Sequence, residues 1–174
     1  MAGDTDAVVD AAARERDELI DGIVGFLTSI GIEVEERPVG EGEFLPGLRI
    51  EGGRLLFERA RLLHPGDLFH DAAHIAVREA ADRPNMSGDV LRGKPERNGE
   101  EIVALLWSYA AALEAGVDPA IVFHEDGYKG QASWILRGFQ SGQYMGLPLL
   151  AWMGLTKPMG EPDGFPRMLK WLRD

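Results

Sequence analysis

The chain has 174 residues, no cysteine and a formal net charge of −11. That length suits one domain with its own core, and the missing thiols exclude disulfides and thiolate zinc sites, leaving His, Asp and Glu as the possible zinc ligands. The acidic balance argues against a nucleic-acid partner, for which only Arg92, Lys94 and Arg97 begin to supply a basic face, and no apolar run is long enough for a leader or a membrane span. A soluble cytoplasmic protein is the expectation.

Residues 6–30 carry Val8, Val9, Leu19, Ile20, Ile23, Val24, Phe26, Leu27 and Ile30 at helical spacing, and Gly31 is a natural stop. This predicts an N-terminal helical segment, 1–31. Ile32-Glu-Val-Glu alternates as a strand does, and a Gly/Pro-rich passage follows from 38 to 47. LRIEGGRLLF, from Leu48, reads as two short strands about Gly52-Gly53, so a small antiparallel sheet is expected to lead into the next helix.

That helix lies in LLHPGDLFHDAAHIAV, residues 62–77. A helix advances about 100° per residue, so His70 and His74 project from one face, with Asp67 a turn earlier near the same face. Leu68, Phe69, Ala72, Ala73, Ile75, Ala76 and Val77 surround them, which predicts a largely buried helix whose two imidazoles need partners. A metal ion is one such partner; backbone carbonyls in a packed core are the other. Pro65 fits the first helical position, with His64 at the cap and Asp67 in the electropositive first turn. Three of the four histidines fall between 64 and 74, which favours the metal.

Residues 82–98, ADRPNMSGDVLRGKPERN from Ala81, read as a polar loop bordering the site, whose arginines and lysine could meet an anionic substrate group. A second helix then spans 100–115 and ends at Gly116; it is apolar on nearly every side and belongs in the core. Glu100 and Glu101 open it. Asn98 with Glu101 makes a capping box that would satisfy backbone donors without a metal. Adjacent residues point about 100° apart, so one glutamate could cap while the other ligates, and Glu101, sharing a face with Leu105 and Ser108, is the favoured ligand over Glu100.

Residues 117–174 predict a short helix capped by Asp118-Pro119, further helices at 133–140 and 147–153, and an amphipathic C-terminal helix at 165–173. His124, in a turn, is a further candidate ligand or electrophilic helper, with Tyr128 as a proton donor. Trp134, Met145, Trp152 and Met153 recur at helical spacing and read as core. The whole predicts a single α+β domain, mainly helical, with the metal-site core at 48–115.

His70-Asp71-Ala72-Ala73-His74 resembles the zincin signature, in which two histidines bind zinc and the glutamate after the first polarises water. The order of hairpin, H-x-x-x-H helix, loop and glutamate-headed helix is similar to the minimal zincin-like metallopeptidases of bacteria, the ImmA/IrrE type. That resemblance implies zinc held by His70, His74 and Glu101, a peptide substrate, and Asp71 at the catalytic-base position. Asp71 departs from the pattern by one methylene, roughly 1 Å of reach. The His-Asp pair also resembles the core of HD-type phosphohydrolases, whose upstream histidine could here only be His64. A third expectation is a zincin-like scaffold that serves interaction without chemistry.

Overall fold

The computed structural model describes residues 2–89 and 98–174, so the expectations for Arg92, Lys94 and Arg97 lie outside the described residues. It is a mixed α+β fold. Helix α1 (Ala2–Ser29) is followed by strands β1 (Val34–Glu36), β2 (Leu48–Glu51) and β3 (Arg54–Phe57). Then come helices α2 (Asp67–Val77), α3 (Asn98–Glu114), α4 (Ala132–Gln140) and α5 (Leu147–Trp152), with short 3₁₀ turns between. Among the described residues no helix is long and apolar enough to cross a membrane.

Helix α1 stops where expected. Gly31 adopts φ 95°, the Ile32 amide donates to the Leu27 carbonyl at 3.0 Å and the Gly31 amide to Thr28 at 3.1 Å, a Schellman closure that needs a left-handed residue. Its inner face, Ile20, Ile23 and Leu27, is fully buried. The Gly-Gly hairpin forms with Leu48 opposite Phe57 and Glu51 opposite Arg54. The sheet is nonetheless not purely antiparallel: β1 joins the other side of β3 in parallel, giving the order β1-β3-β2. Residues 37–47 cannot make a tight turn, so they cross about two strand spacings, roughly 10 Å, and leave a gap that β3 later fills.

Helices α2 and α3 pack side by side at the centre. Ala72, Ala73 and Ala76 on one and Ala104, Ala110, Ala111 and Ala112 on the other are all buried, and their small side chains allow close approach. Ser108 Oγ donates to the Ala104 carbonyl at 2.7 Å and reaches the Phe69 carbonyl of α2 at 3.3 Å. Helix α2 begins two residues later than its sequence suggests. Residues 64–67 form a tighter turn, the Asp67 amide donating to His64 and the Leu68 amide to Pro65, and Gly66 rather than His64 stands at the cap with no side-chain hydrogen bond. Gly66 lies against the backbone of Ile121 and Val122, where only a residue without Cβ fits.

Two further expectations are corrected. Residues 165–173 form no helix, because their backbone donors are taken by the body: Leu169 donates to Leu155 at 2.8 Å and Arg173 to Ala76, the end of α2, at 2.9 Å. Trp171 meets Trp107 and Phe26 edge-on and accepts the Trp107 indole N–H at 3.0 Å. Trp134, Met145 and Trp152 are not core but 58%, 57% and 71% exposed. Helical spacing marks a shared face without saying which side turns inward, and Ala132 and Phe139 of α4 and Leu147 and Leu150 of α5 take the inward positions.

The Gly66 approach makes a direct prediction. A Cβ there would sit 2.5 Å from the Ile121 carbonyl carbon and nearer still to its oxygen, so Gly66→Ala should destabilise by about 3 kcal/mol in denaturant melts. Gly22→Ala, on α1 with no atom within 4 Å of the new methyl, should stabilise by about 0.5–1 kcal/mol.

Candidate metal centre

Positions 67, 70 and 74 follow one face of α2, and the first turn of α3 lies opposite them. His70 and His74 stand with rings nearly perpendicular, 86°, and their Nε2 atoms 3.3 Å apart. Glu101 completes a triangle, with Oε1 3.5 Å from His70 Nε2 and Oε2 3.3 Å from His74 Nε2. Ligands of a tetrahedral zinc at about 2.0–2.1 Å are separated by about 3.3–3.4 Å, a spacing that the two Nε2 atoms meet; each faces a different Glu101 oxygen, and a turn of that carboxylate would present one oxygen to both. The residues that spacing picks out in α2 and the glutamate favoured in α3 are thus brought together.

Glu100 takes the other side of His74. Its Oε1 lies 3.3 Å from His74 Nδ1, and Arg78 Nη2 donates to both its oxygens at 2.6 and 2.8 Å. A histidine whose far nitrogen donates to a buried, charge-compensated carboxylate has its tautomer and ring angle fixed, the arrangement that commonly backs a metal ligand. The neighbouring glutamates therefore divide the work that the sequence left open. The capping-box alternative is not used by Glu101, whose carboxylate faces the imidazoles; Asn98 is already within α3, and its side chain lies outside the described residues. Arg78 is the participant that sequence reasoning missed. Its signal was its position four residues after His74, at the end of an otherwise apolar helix.

The electrostatics follow from this packing. Burial opposes charge on His74, but hydrogen bonds to Glu100 and Glu101 outweigh it and raise the imidazole to about 9. Burial, with the charge of His74 beside it, lowers His70 to about 4. Glu100 and Glu101 stay below the ordinary carboxylate range despite their burial because His74, and for Glu100 also Arg78, stabilise the anions. A proton on His74 Nε2 can donate towards Glu101 and His70, so the metal-free cluster binds a proton at the point where a cation would sit.

Asp71 is half-buried beside this cluster and makes no hydrogen bond or ion pair among the described residues. Burial raises its carboxyl to about 7, opposed by His74 and reinforced by Asp67, Glu101 and Asp89. Tyr128 lies on the outer side of His70, Oη 3.4 Å from Nδ1, away from the converging Nε2 atoms, so the expected proton donor faces the back of the ring.

His124 is not a ligand in this triangle. Its Nε2 is 2.9 Å from Asp67 Oδ1, and its ring stacks on His64 at 3.7 Å and 12°, while His64 Nε2 is 3.2 Å from Asp126. Lone pairs of an imidazole lie in the ring plane, so two rings stacked in parallel cannot aim them at one point. The His64, His124 and Asp126 group therefore lacks the geometry of a shared cation despite its composition. No protein-family profile matches the chain, and no curated protein or solved structure is significantly similar to it.

Because folding raises His74 from its ordinary 6.5 to about 9, its contribution to stability is complete below pH 6.5 and lost as pH rises through 9. Melts of metal-free protein should show a loss of roughly 3 kcal/mol across that window. Glu100→Gln should flatten the dependence and return the His74 titration, followed by NMR, towards 6.5; an unchanged slope would remove Glu100 from this role.

Proposed function

We propose that the protein is a zinc-dependent hydrolase of the zincin type acting on peptide substrates, with His70, His74 and Glu101 holding the ion and Asp71 accepting a proton. The single observation that carries this reading is the convergence of three side chains from two helices, with the two Nε2 atoms 3.3 Å apart, as two ligands of a tetrahedral ion are, and each within 3.5 Å of a Glu101 oxygen. Two imidazoles and one carboxylate suit zinc, and three protein ligands leave one position open for water or substrate. When bound, zinc supplies Lewis-acid activation of water and polarises the scissile carbonyl.

The chain's own groups do the rest. Glu100, anchored by Arg78, holds His74 with Nε2 facing the site. Glu101 offers one carboxylate oxygen towards each imidazole. Asp71 neighbours His74 and Glu101 electrostatically, and with its carboxyl raised to about 7 it can take a proton at neutral pH and return it to a leaving amine. Its shorter side chain would reach a zinc-bound water directly or through a second water. The paired positions 70 and 71 would both ligate in an HD-type phosphohydrolase, with His64 as the upstream ligand. The geometry disfavours that reading, since Asp71 lies outside the convergent triangle and His64 pairs with Asp126.

Elemental analysis of protein purified without added metal should give about one zinc per chain, abolished in His74→Ala and Glu101→Ala. Asp71→Asn should keep the zinc and lose about 10²–10⁴-fold in peptide hydrolysis, scored on an unstructured protein and a peptide library. A fully loaded protein that cleaves neither peptides nor phosphoesters would leave only the scaffold role; manganese or iron with phosphoester turnover would favour the HD reading.

A further inference from the structure

Residues 124–130 form a turn that lies over the first turns of α2 and is fastened to it twice. His124 is bonded to Asp67 at 2.9 Å, and Tyr128 meets His70 at 3.4 Å. Positions 67 and 70 are three apart on one helix face, matching the four-residue step from 124 to 128 in the turn. The fastening holds an unusual backbone: Tyr128 and Lys129 have φ of 55° and 53°, a region that non-glycine residues occupy when their surroundings impose it. The Tyr128 ring is wedged between His70, at 5.7 Å and 78°, and Phe123, at 5.5 Å and 34°. Burial pushes its phenol up, so the hydroxyl stays neutral.

A neutral imidazole carries its proton on one nitrogen only; a carboxylate partner can only accept that proton, whereas a hydroxyl can accept it or donate to the bare nitrogen. Glu100 is such a carboxylate for His74. For His70, the group at hydrogen-bond distance from Nδ1 among the described residues is the Tyr128 hydroxyl. We propose that Tyr128 is a positioning residue for His70: its oxygen accepts the Nδ1–H, which leaves the Nε2 lone pair facing His74 and Glu101, and the Asp67–His124 bond holds the turn that carries it. The two histidines would then be set by different means, His74 by an anion and His70 by a neutral hydroxyl. This uses Tyr128 from behind the ring, where it touches neither ion nor substrate. The assignment rests on the metal-site reading for its consequence, and its own readout is independent of metal.

The test is ¹⁵N NMR of histidine-labelled, metal-free protein, recorded above the His74 titration so that His74 offers His70 no proton, together with zinc affinity measured by competition with a chromophoric chelator, for wild type and Tyr128→Phe. The wild type should show His70 as the Nδ1–H tautomer. Tyr128→Phe, which keeps the ring, should shift it towards Nε2–H and weaken zinc about 10–100-fold. Asp67→Asn, which loosens the turn but keeps the hydroxyl, should move both readouts less in the same direction. An unchanged tautomer and unchanged zinc affinity in Tyr128→Phe would overturn the proposal. Wild-type protein that takes up no zinc yet shows the tautomer shift would refute the metal centre and leave the Tyr128 assignment standing.

Discussion

Two imidazole nitrogens 3.3 Å apart, each within 3.5 Å of one oxygen of the same carboxylate, are a constraint that the rest of the structure must answer. Lone pairs and negative charge pointed at one spot repel unless something positive lies between them. In the metal-free chain a proton on His74 meets that need, which is why its imidazole is held up at about 9 while His70, a helical turn away, is driven down to about 4. A divalent cation would meet it better, because it satisfies all three atoms at once where a proton is shared among them. A metal that bound here would compete with the proton for the His74 lone pair and would have to expel it.

The scaffold exists to bring two helices close enough for that crowding. Buried alanines on both faces let α2 and α3 approach, and Ser108 ties α3 to the Phe69 carbonyl beside His70. Gly66 allows the entrance to α2 to press on the Ile121 backbone, and Arg173 of the tail closes the other end on the Ala76 carbonyl. Both ends of the histidine helix are therefore held by segments distant in sequence. Outside the triangle, Glu100 with Arg78 backs one imidazole and Tyr128 touches the other, so the groups behind the rings are as specific as those in front.

What could be read from the chain and what could not divides along physical lines. The histidine pair was legible because four-residue spacing fixes a shared face, and the Gly31 stop and the Gly-Gly hairpin because their backbone chemistry is local. The choice between Glu100 and Glu101 needed the rotation of α3 against α2, a tertiary quantity. The parallel placement of β1 depends on a strand that comes later in the chain, and the C-terminal segment has helical spacing although its donors find partners in the folded body. Trp134, Met145 and Trp152 misled for a related reason: amphipathic spacing says that residues share a face, while the packing of Phe139 and Leu150 decides which face is buried.

The most direct measurement is a crystal structure of protein exposed to one equivalent of zinc, with anomalous scattering recorded on both sides of the zinc absorption edge. The account predicts a single strong peak about 2.0–2.1 Å from His70 Nε2, His74 Nε2 and a Glu101 oxygen. No peak there, or one confined to the His64 and Asp126 side chains, would contradict it.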